Sequence, residues 1–295
     1  MSKISEMIRE KFGATDRKRD EGLTAPEDIV RYDDIPYGND EKWQILDVYR
    51  PKNAEGKLPV IVSVHGGGWV YGDKEAYQFY CMSLAQRGFA VVNFNYRLAP
   101  ENKFPAPLQD TSLVFGWLKQ HDEEYGFDLN NVFALGDSAG ANILECYCSL
   151  CCNEEYFNSF EPRISAPLLP KAVALNCGVN VVRVSDDPKD RFTNDLMSDY
   201  LKDKSDASQV LQVNGISHIT PAFPPVFLMS AEDDFLKYQM VPVIEKFVAN
   251  NIPFTVRFYK DEKVRLSHVF HLDIRLEAAD RCNSEECAFF RNFIS

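Results

Sequence analysis

Gly136-Asp137-Ser138-Ala139-Gly140 is the stretch on which the fold of this chain turns. It follows the apolar run Val132 to Leu135 and leads directly into a second apolar run from Ala139. The pentapeptide therefore reads as the sharp turn between a strand and a helix. A serine in such a turn stands outside the regular elements with its hydroxyl at the strand's carboxyl end, and flanking glycines let strand and helix approach closely. A helix N-cap would also account for a serine here. It would not account for the second glycine, nor for the residues that accompany Ser138 elsewhere in the chain.

Outward from this turn, short apolar strands alternate with amphipathic helices. Val60 to Val64, Ala90 to Phe94, Val132 to Leu135, Lys171 to Leu175, Val226 to Met229 and Thr255 to Tyr259 are the strand candidates. Helices are expected near Tyr77 to Gln86, Leu108 to Gln120, from Ala139, Lys237 to Asn250, Asp273 to Arg281 and Glu285 to Phe293. Continuous apolar strands between such helices are what a parallel sheet covered on both faces requires. Ile29 to Asp34 and Gln44 to Tyr49 add an antiparallel edge. The expectation is one α/β domain over residues 1–295, built on a mostly parallel sheet of about eight strands. The polar segment 1–27 and the long excursion 180–225, with a helix near Phe192 to Tyr200, are expected to form a small cap over the site.

Composition narrows the function. Apolar residues make up 45% and charged residues 26%, ordinary globular usage, and the net charge of −12 argues against nucleic-acid or anionic-membrane partners. Met1 to Lys11 lacks the apolar stretch of a signal peptide and no run reaches membrane-spanning length, so a cytoplasmic protein without stable membrane insertion is expected. Homo-oligomerisation is left open. Of eight cysteines, Cys146, Cys148, Cys151 and Cys152 crowd into one expected helix. That spacing suits neither disulfides nor a metal site, which would need a second spaced Cys/His pair; reduced thiols and no metal are expected.

A serine hydroxyl is a weak nucleophile at neutral pH and needs a base, and the base needs an orienting acid. His65 opens a glycine run and reads as a loop-fixing residue, His121 lies at a charged helix end, and His218 lies in the excursion. His268 and His271 follow the last strand, where the base of this arrangement belongs, and His268 is favoured. His271 is expected at the surface or at a helix start. The acid should follow Val226 to Met229, where Glu232, Asp233 and Asp234 compete on equal terms. His65-Gly66-Gly67-Gly68-Trp69 follows another strand, and its backbone amides, together with that of Ala139, can hold a developing oxyanion. A phosphate cradle is disfavoured because the run lacks the Lys-Ser/Thr ending and the dinucleotide G-x-G-x-x-G pattern.

Four blocks in order resemble the hormone-sensitive-lipase-like family of α/β hydrolases, which includes bacterial carboxylesterases. They are His65 to Trp69 with Tyr71 and Gly72; Asn95 to Glu101 with Phe104, Pro105, Ala106 and Asp110; Gly136 to Gly140 with Asn142; and Asp234 with Leu236, then His268 with Phe270. The resemblance implies Ser138, Asp234 and His268 as catalytic residues, and the amides of Gly67, Gly68 and Ala139 as oxyanion donors. It also implies a structural role for the Tyr96 to Glu101 block. Val269 and Ala141 stand where the family commonly has glycine.

The expected function is serine-dependent hydrolysis of small carboxylic esters through an acyl-enzyme, with no cofactor. A deacetylase or amidase acting on an acylated sugar or other small metabolite is the alternative, since one triad serves all three. Trp69, Tyr71 and Val269 are expected to line the substrate pocket, with Val269 and Ala141 shortening it in favour of short acyl chains.

Overall fold

The sheet is the computed structural model's organising element, and its eight strands run in the order β1-β2-β4-β3-β5-β6-β7-β8. Residues 1–185, 187 and 189–295 are described; Asp186 and Pro188, within the 180–225 excursion, lie outside the described residues. Along the chain come α1 (Lys3–Asp20), β1 (Ile29–Pro36), β2 (Ile45–Pro51), β3 (Leu58–Val64), α2 (Lys74–Ala85), β4 (Ala90–Phe94), α3 (Ala106–Gln120) and α4 (Asp122–Tyr125). Then follow β5 (Phe127–Asp137), α5 (Ala139–Cys152), α6 (Glu154–Asn158), β6 (Val173–Asn176), α7 (Arg191–Tyr200) and α8 (Ala207–Val213). The chain closes with β7 (Val226–Ala231), α9 (Met240–Ala249), β8 (Phe254–Tyr259) and α10 (Glu277–Arg291).

β1 and β2 pair antiparallel, β2 joins β4 antiparallel, and every later pairing is parallel. The strand period of two divides the central residues between two cores. Val60, Val62 and Val64 pack on one face with Val92, Val132 and Ala134, while Ile61 packs on the other with Val91, Phe133 and Leu135. Burying each such side chain contributes roughly 1.5–3 kcal/mol, so strands buried on both faces outweigh their lack of amphipathic alternation. Among the described residues no helix is long and apolar enough to cross a membrane. All eight cysteines are free thiols.

One expectation fails in the last segment. Asp273 to Arg281 and Glu285 to Phe293 are not two helices: Asp273 to Leu276 forms a turn, and α10 then runs unbroken to Arg291. Asn283 and Glu286 interrupt the apolar pattern in sequence, yet both lie on the buried face. Asn283 Nδ2 donates to the His271 carbonyl at 3.1 Å. Glu286 accepts from Asn176 Nδ2 at 2.7 Å and from the Tyr80 hydroxyl at 3.0 Å. Hydrogen bonding lets these polar groups occupy core positions.

Burial pushes the Glu286 carboxyl up from 4.5 to about 7, against the lowering effect of Asn176 and Tyr80. A raised acid binds more protons in the folded than in the unfolded state, so its penalty is absent below about pH 4.5 and complete above about pH 7. Glu286→Gln should therefore gain stability over wild type as pH rises through that window, by on the order of 3 kcal/mol. Chemical denaturation of both proteins at pH 5 and pH 8 measures it, and a difference independent of pH would refute the assignment.

Candidate active site

Topology locates the site before any side chain is considered. The chain leaves β3 for β4 on one side and later returns to β5 on the other. Loops that part in opposite directions from the carboxyl ends of neighbouring parallel strands leave a crevice between them. His65 to Gly68 follows β3 and Ser138 follows β5, and the strands pair up to Val64 and Gly136.

Ser138 has φ 51° and ψ −118°, a conformation disfavoured for a side-chain-bearing residue. The turn is held by its amide, which donates to the Asn176 carbonyl at 3.0 Å, and by its carbonyl, which accepts from the Val179 amide at 2.9 Å. Its hydroxyl makes no capping hydrogen bond to α5 although it occupies the N-cap position. Gly136 and Gly140 are required by close approach: a Cβ on Gly136 would stand 2.6 Å from the Gly140 carbonyl, and one on Gly140 would strike the carbonyls of Val64 and His65.

The three competing carboxylates separate by position. Glu232 is half-buried, Asp233 is exposed and pairs with Arg265, and Asp234 is buried. Asp234 Oδ1 accepts from His268 Nδ1 at 2.8 Å and from the Leu236 amide at 2.9 Å, and Oδ2 accepts from Ser230 Oγ at 2.6 Å. Burial pushes this carboxyl up, but the hydrogen bond and charge of His268, with Ser230 and Leu236, outweigh it and hold the group below the usual carboxylate range. Phe235 covers the imidazole, ring centroids 4.4 Å apart.

His271, expected at the surface or at a helix start, is instead wholly buried behind His268, edge-on to Tyr80 at 5.2 Å. The short 3-10 turn Phe270–Leu272 drives it inward against α2 and α10. Burial pulls its pKa down to about 3, so it is neutral. His65 is also buried; it stacks on Tyr96 at 4.0 Å, its Nδ1 lies 2.7 Å from the Gly66 carbonyl, and burial lowers it to about 4. It braces the glycine loop and does not face Ser138 across the cavities.

In that loop Gly67 has φ 109° and its carbonyl accepts from the Tyr71 amide at 3.0 Å, which turns the chain back on itself. Among the described residues the Gly67 and Gly68 amides donate to no protein acceptor. Ala139 opens α5, where first-turn amides lack an intrahelical partner. The Gly66 amide, by contrast, donates to the Tyr77 hydroxyl at 2.8 Å, and Tyr77 donates to Asp137 Oδ2 at 2.8 Å. Burial, partly offset by that bond, pushes Asp137 up to about 7.

Ser138 and His268 stand between two cavities. One, of about 310 Å³, is apolar and is lined by Ile8, Trp69, Val182, Leu196 and Met197 among others. Trp69 closes it by stacking on Tyr200 at 4.4 Å. The other, of about 220 Å³, has Thr15, Asp16, Tyr71, Tyr77, Asp137 and Val269 in its wall. Trp69 lines the apolar cavity and Tyr71 and Val269 the smaller one, whereas Ala141 is buried under Gly178. Val269 has φ 53°, which explains why glycine suits this position.

Sequence reasoning assigned no role to Phe12, Asp16, Tyr77, Asp137 or Phe235, all of which line the site. Asp137 and Phe235 occupy the variable places within the motifs, a usable signal. Nothing in α1 marks Phe12 and Asp16, which arrive by docking. Arg9 fastens that helix, bonding Glu101 at 2.7 Å, the Val70 carbonyl at 2.8 Å and the Ala99 carbonyl at 2.9 Å. Arg97 of the same block pairs with buried Asp110 at 2.8 Å.

An eight-stranded, mostly parallel sheet with a strained serine at the switch point is an α/β hydrolase. The chain belongs to the BD-FAE family, whose model matches residues 46–245. It is 29% identical over 216 residues to the probable carboxylic ester hydrolase LipM of Mycobacterium tuberculosis, covering 71% of this chain and 49% of that one. It is 27% identical to the probable isoprenylcysteine alpha-carbonyl methylesterase ICMEL1 of Arabidopsis thaliana, covering 68% and 43%. The chain thus spans about half, or less, of the length of these curated relatives. A C6-C4 SN3 inhibited esterase B of Lactobacillus rhamnosis superposes with a TM-score of 0.86 at 25% identity, covering 99% of this chain and 97% of that one. These matches support the resemblance to hormone-sensitive-lipase-like hydrolases.

The geometry assigns the Nδ1 proton of His268 to the bond with Asp234. Proton NMR of the imidazole N–H should show a far-downfield resonance in wild type and in Asp233→Asn that moves upfield or exchanges away in Asp234→Asn. An unchanged resonance in Asp234→Asn would contradict the pairing.

Proposed function

We propose that this chain is a serine carboxylesterase in which Ser138 attacks the ester carbonyl, His268 takes its proton, and Asp234 orients the imidazole. The observation that carries the reading is the 2.8 Å hydrogen bond between buried Asp234 and half-buried His268, beside a strained serine whose hydroxyl is not used as a helix cap. As the tetrahedral intermediate forms, the unengaged amides of Gly67 and Gly68, with that of Ala139, stabilise its oxyanion. Collapse releases the alcohol, protonated by His268, and leaves an acyl group on Ser138. Water, activated by the same imidazole, then frees the acid. Apo hydrogen bonds of this kind commonly tighten only on substrate binding, which accommodates a serine not yet bonded to the base.

We place the acyl chain in the apolar cavity and read the N-terminal segment 1–27 and the excursion 180–225 as its cap. Support comes from Ile8 and Leu196, one from each segment, whose terminal carbons approach within 3.8–3.9 Å of the position a Cβ on Gly68 would take. They narrow the space beside the oxyanion loop, and so favour a short chain.

Ser138→Ala should fold as wild type and lose turnover on the order of a million-fold. An organophosphonate should label wild type stoichiometrically at Ser138, read by peptide mass spectrometry, and full activity without labelling would reject the nucleophile.

Each methylene added to the acyl group should lower the barrier by up to about 0.8 kcal/mol until the space beneath Ile8 and Leu196 is filled. Across p-nitrophenyl esters kcat/KM should peak at about two to four carbons, and Leu196→Ala should move the peak to longer chains. A wild-type maximum at about eight carbons or more would remove the short-chain reading and leave the triad untouched.

A further inference from the structure

The smaller cavity beside Ser138 presents acceptors with few donors. The Tyr71 hydroxyl donates to Asp16 Oδ2 at 2.8 Å. The Tyr77 hydroxyl donates to Asp137 Oδ2, and Thr15 Oγ donates to the Lys11 carbonyl at 3.0 Å. Apart from that of Ser138, each hydroxyl proton in the wall is therefore already directed to a protein acceptor. Carboxylate capacity is left over. Asp137 is 2% exposed and its Oδ1 has no hydrogen-bond partner. Asp16 shares a single guanidinium: Arg19 holds it at 3.0 Å and Asp20 at 2.7 Å. Burial raises the Asp16 carboxyl above its ordinary range, the Arg19 charge and the Tyr71 hydrogen bond oppose this, and the charges of Asp20 and Asp73 add to it. No lysine or arginine lines the cavity among the described residues.

Aromatic faces complete the wall. Phe12, Tyr71, Tyr77 and Phe235 all border the space, with Phe12 set edge-on to Tyr71 at 6.2 Å. Carboxylates with spare acceptor capacity combined with ring faces attract a cation and repel a carboxylate. The apolar cavity across Ser138 shares Phe12 and Phe235 but has no carboxylate in its wall, and Arg183 is its charged member.

We propose that the smaller cavity binds a protonated amine, so that the alcohol portion of the substrate carries a primary or secondary ammonium group with Asp16 as its principal counter-charge. Placing that group on an ester rests on the carboxylesterase reading; its binding to the cavity does not. An ammonium brings several donors and a full positive charge to a wall with few donors and no lysine or arginine. A neutral hydroxyl brings one donor and no charge.

The test compares n-butylammonium, 1-butanol, 1,2-butanediol and butyrate on the full chain, by calorimetry and as competitive inhibitors of p-nitrophenyl acetate hydrolysis. The ammonium should bind at least about tenfold more tightly than either neutral alcohol, and butyrate should bind most weakly. Asp16→Asn should erase most of that preference, and Asp16→Glu should keep it. If Asp16→Asn does not fold, Tyr71→Phe serves instead: it frees an Asp16 oxygen and should strengthen ammonium binding. Equal affinity for ammonium and diol, an unchanged preference in folded Asp16→Asn, or no effect of Tyr71→Phe would each overturn the proposal. Ammonium binding without ester hydrolysis would support this site and count against the esterase reading, whereas hydrolysis without ammonium preference would do the reverse.

Discussion

The contact between α5 and the strand ends at Gly136 and Gly140 is the constraint on which the site depends. Backbone carbonyls of Val64, His65 and Gly140 occupy the space that side chains at those two positions would need. Only with both Cβ atoms absent can the helix start directly behind β5, and only then is the residue between them forced to φ 51°. The same approach sets the first amide of α5 beside the loop that follows β3. Packing in the core thus does chemical positioning, since the strained turn is held by neighbours that also form the sheet.

Around that contact the polar groups form connected chains with little slack. Asn176 illustrates this: its carbonyl accepts the Ser138 amide, and its side chain donates to Glu286 on α10. Gly66, Tyr77 and Asp137 form a second chain across the crevice, joining the glycine loop to the residue before Ser138. Asp234 forms a third with Ser230 and His268. In a low-dielectric interior such linked bonds resist rearrangement because breaking one strands the next. The outcome is a rigid floor beneath two cavities.

The roof is assembled differently. α1 is held by side-chain bonds from Arg9 and by the Ser2 amide donating to Asp199 on α7 at 2.7 Å. It buries little of its own surface, with Ser5, Ile8 and Gly13 as its buried residues. A polar attachment of this kind is weaker than core packing, and it places Phe12 and Asp16 over the crevice without demanding those residues for folding. Floor and roof therefore answer to different constraints, one stereochemical and one set by how α1 docks.

The sequence by itself determined the alternating architecture, the turn at Ser138 and the glycine loop, because local rules bear on each: two-sided apolar strands, positive-φ positions and close approaches leave marks at fixed spacing. It left Glu232, Asp233 and Asp234 level on local grounds, since adjacent carboxylates differ only in what later surrounds them; burial and the hydrogen bond to His268 set Asp234 apart. It divided α10 in two because buried Asn283 and Glu286 look like surface residues until their partners on other elements are known. Tertiary structure also decided that His271 lies in the core, that Ala141 stays out of the cavities, and that Asp16 stands beside Ser138. Those three outcomes rest on contacts between elements distant in sequence, and such contacts follow from how the docked surfaces fit, which no periodicity within one segment encodes.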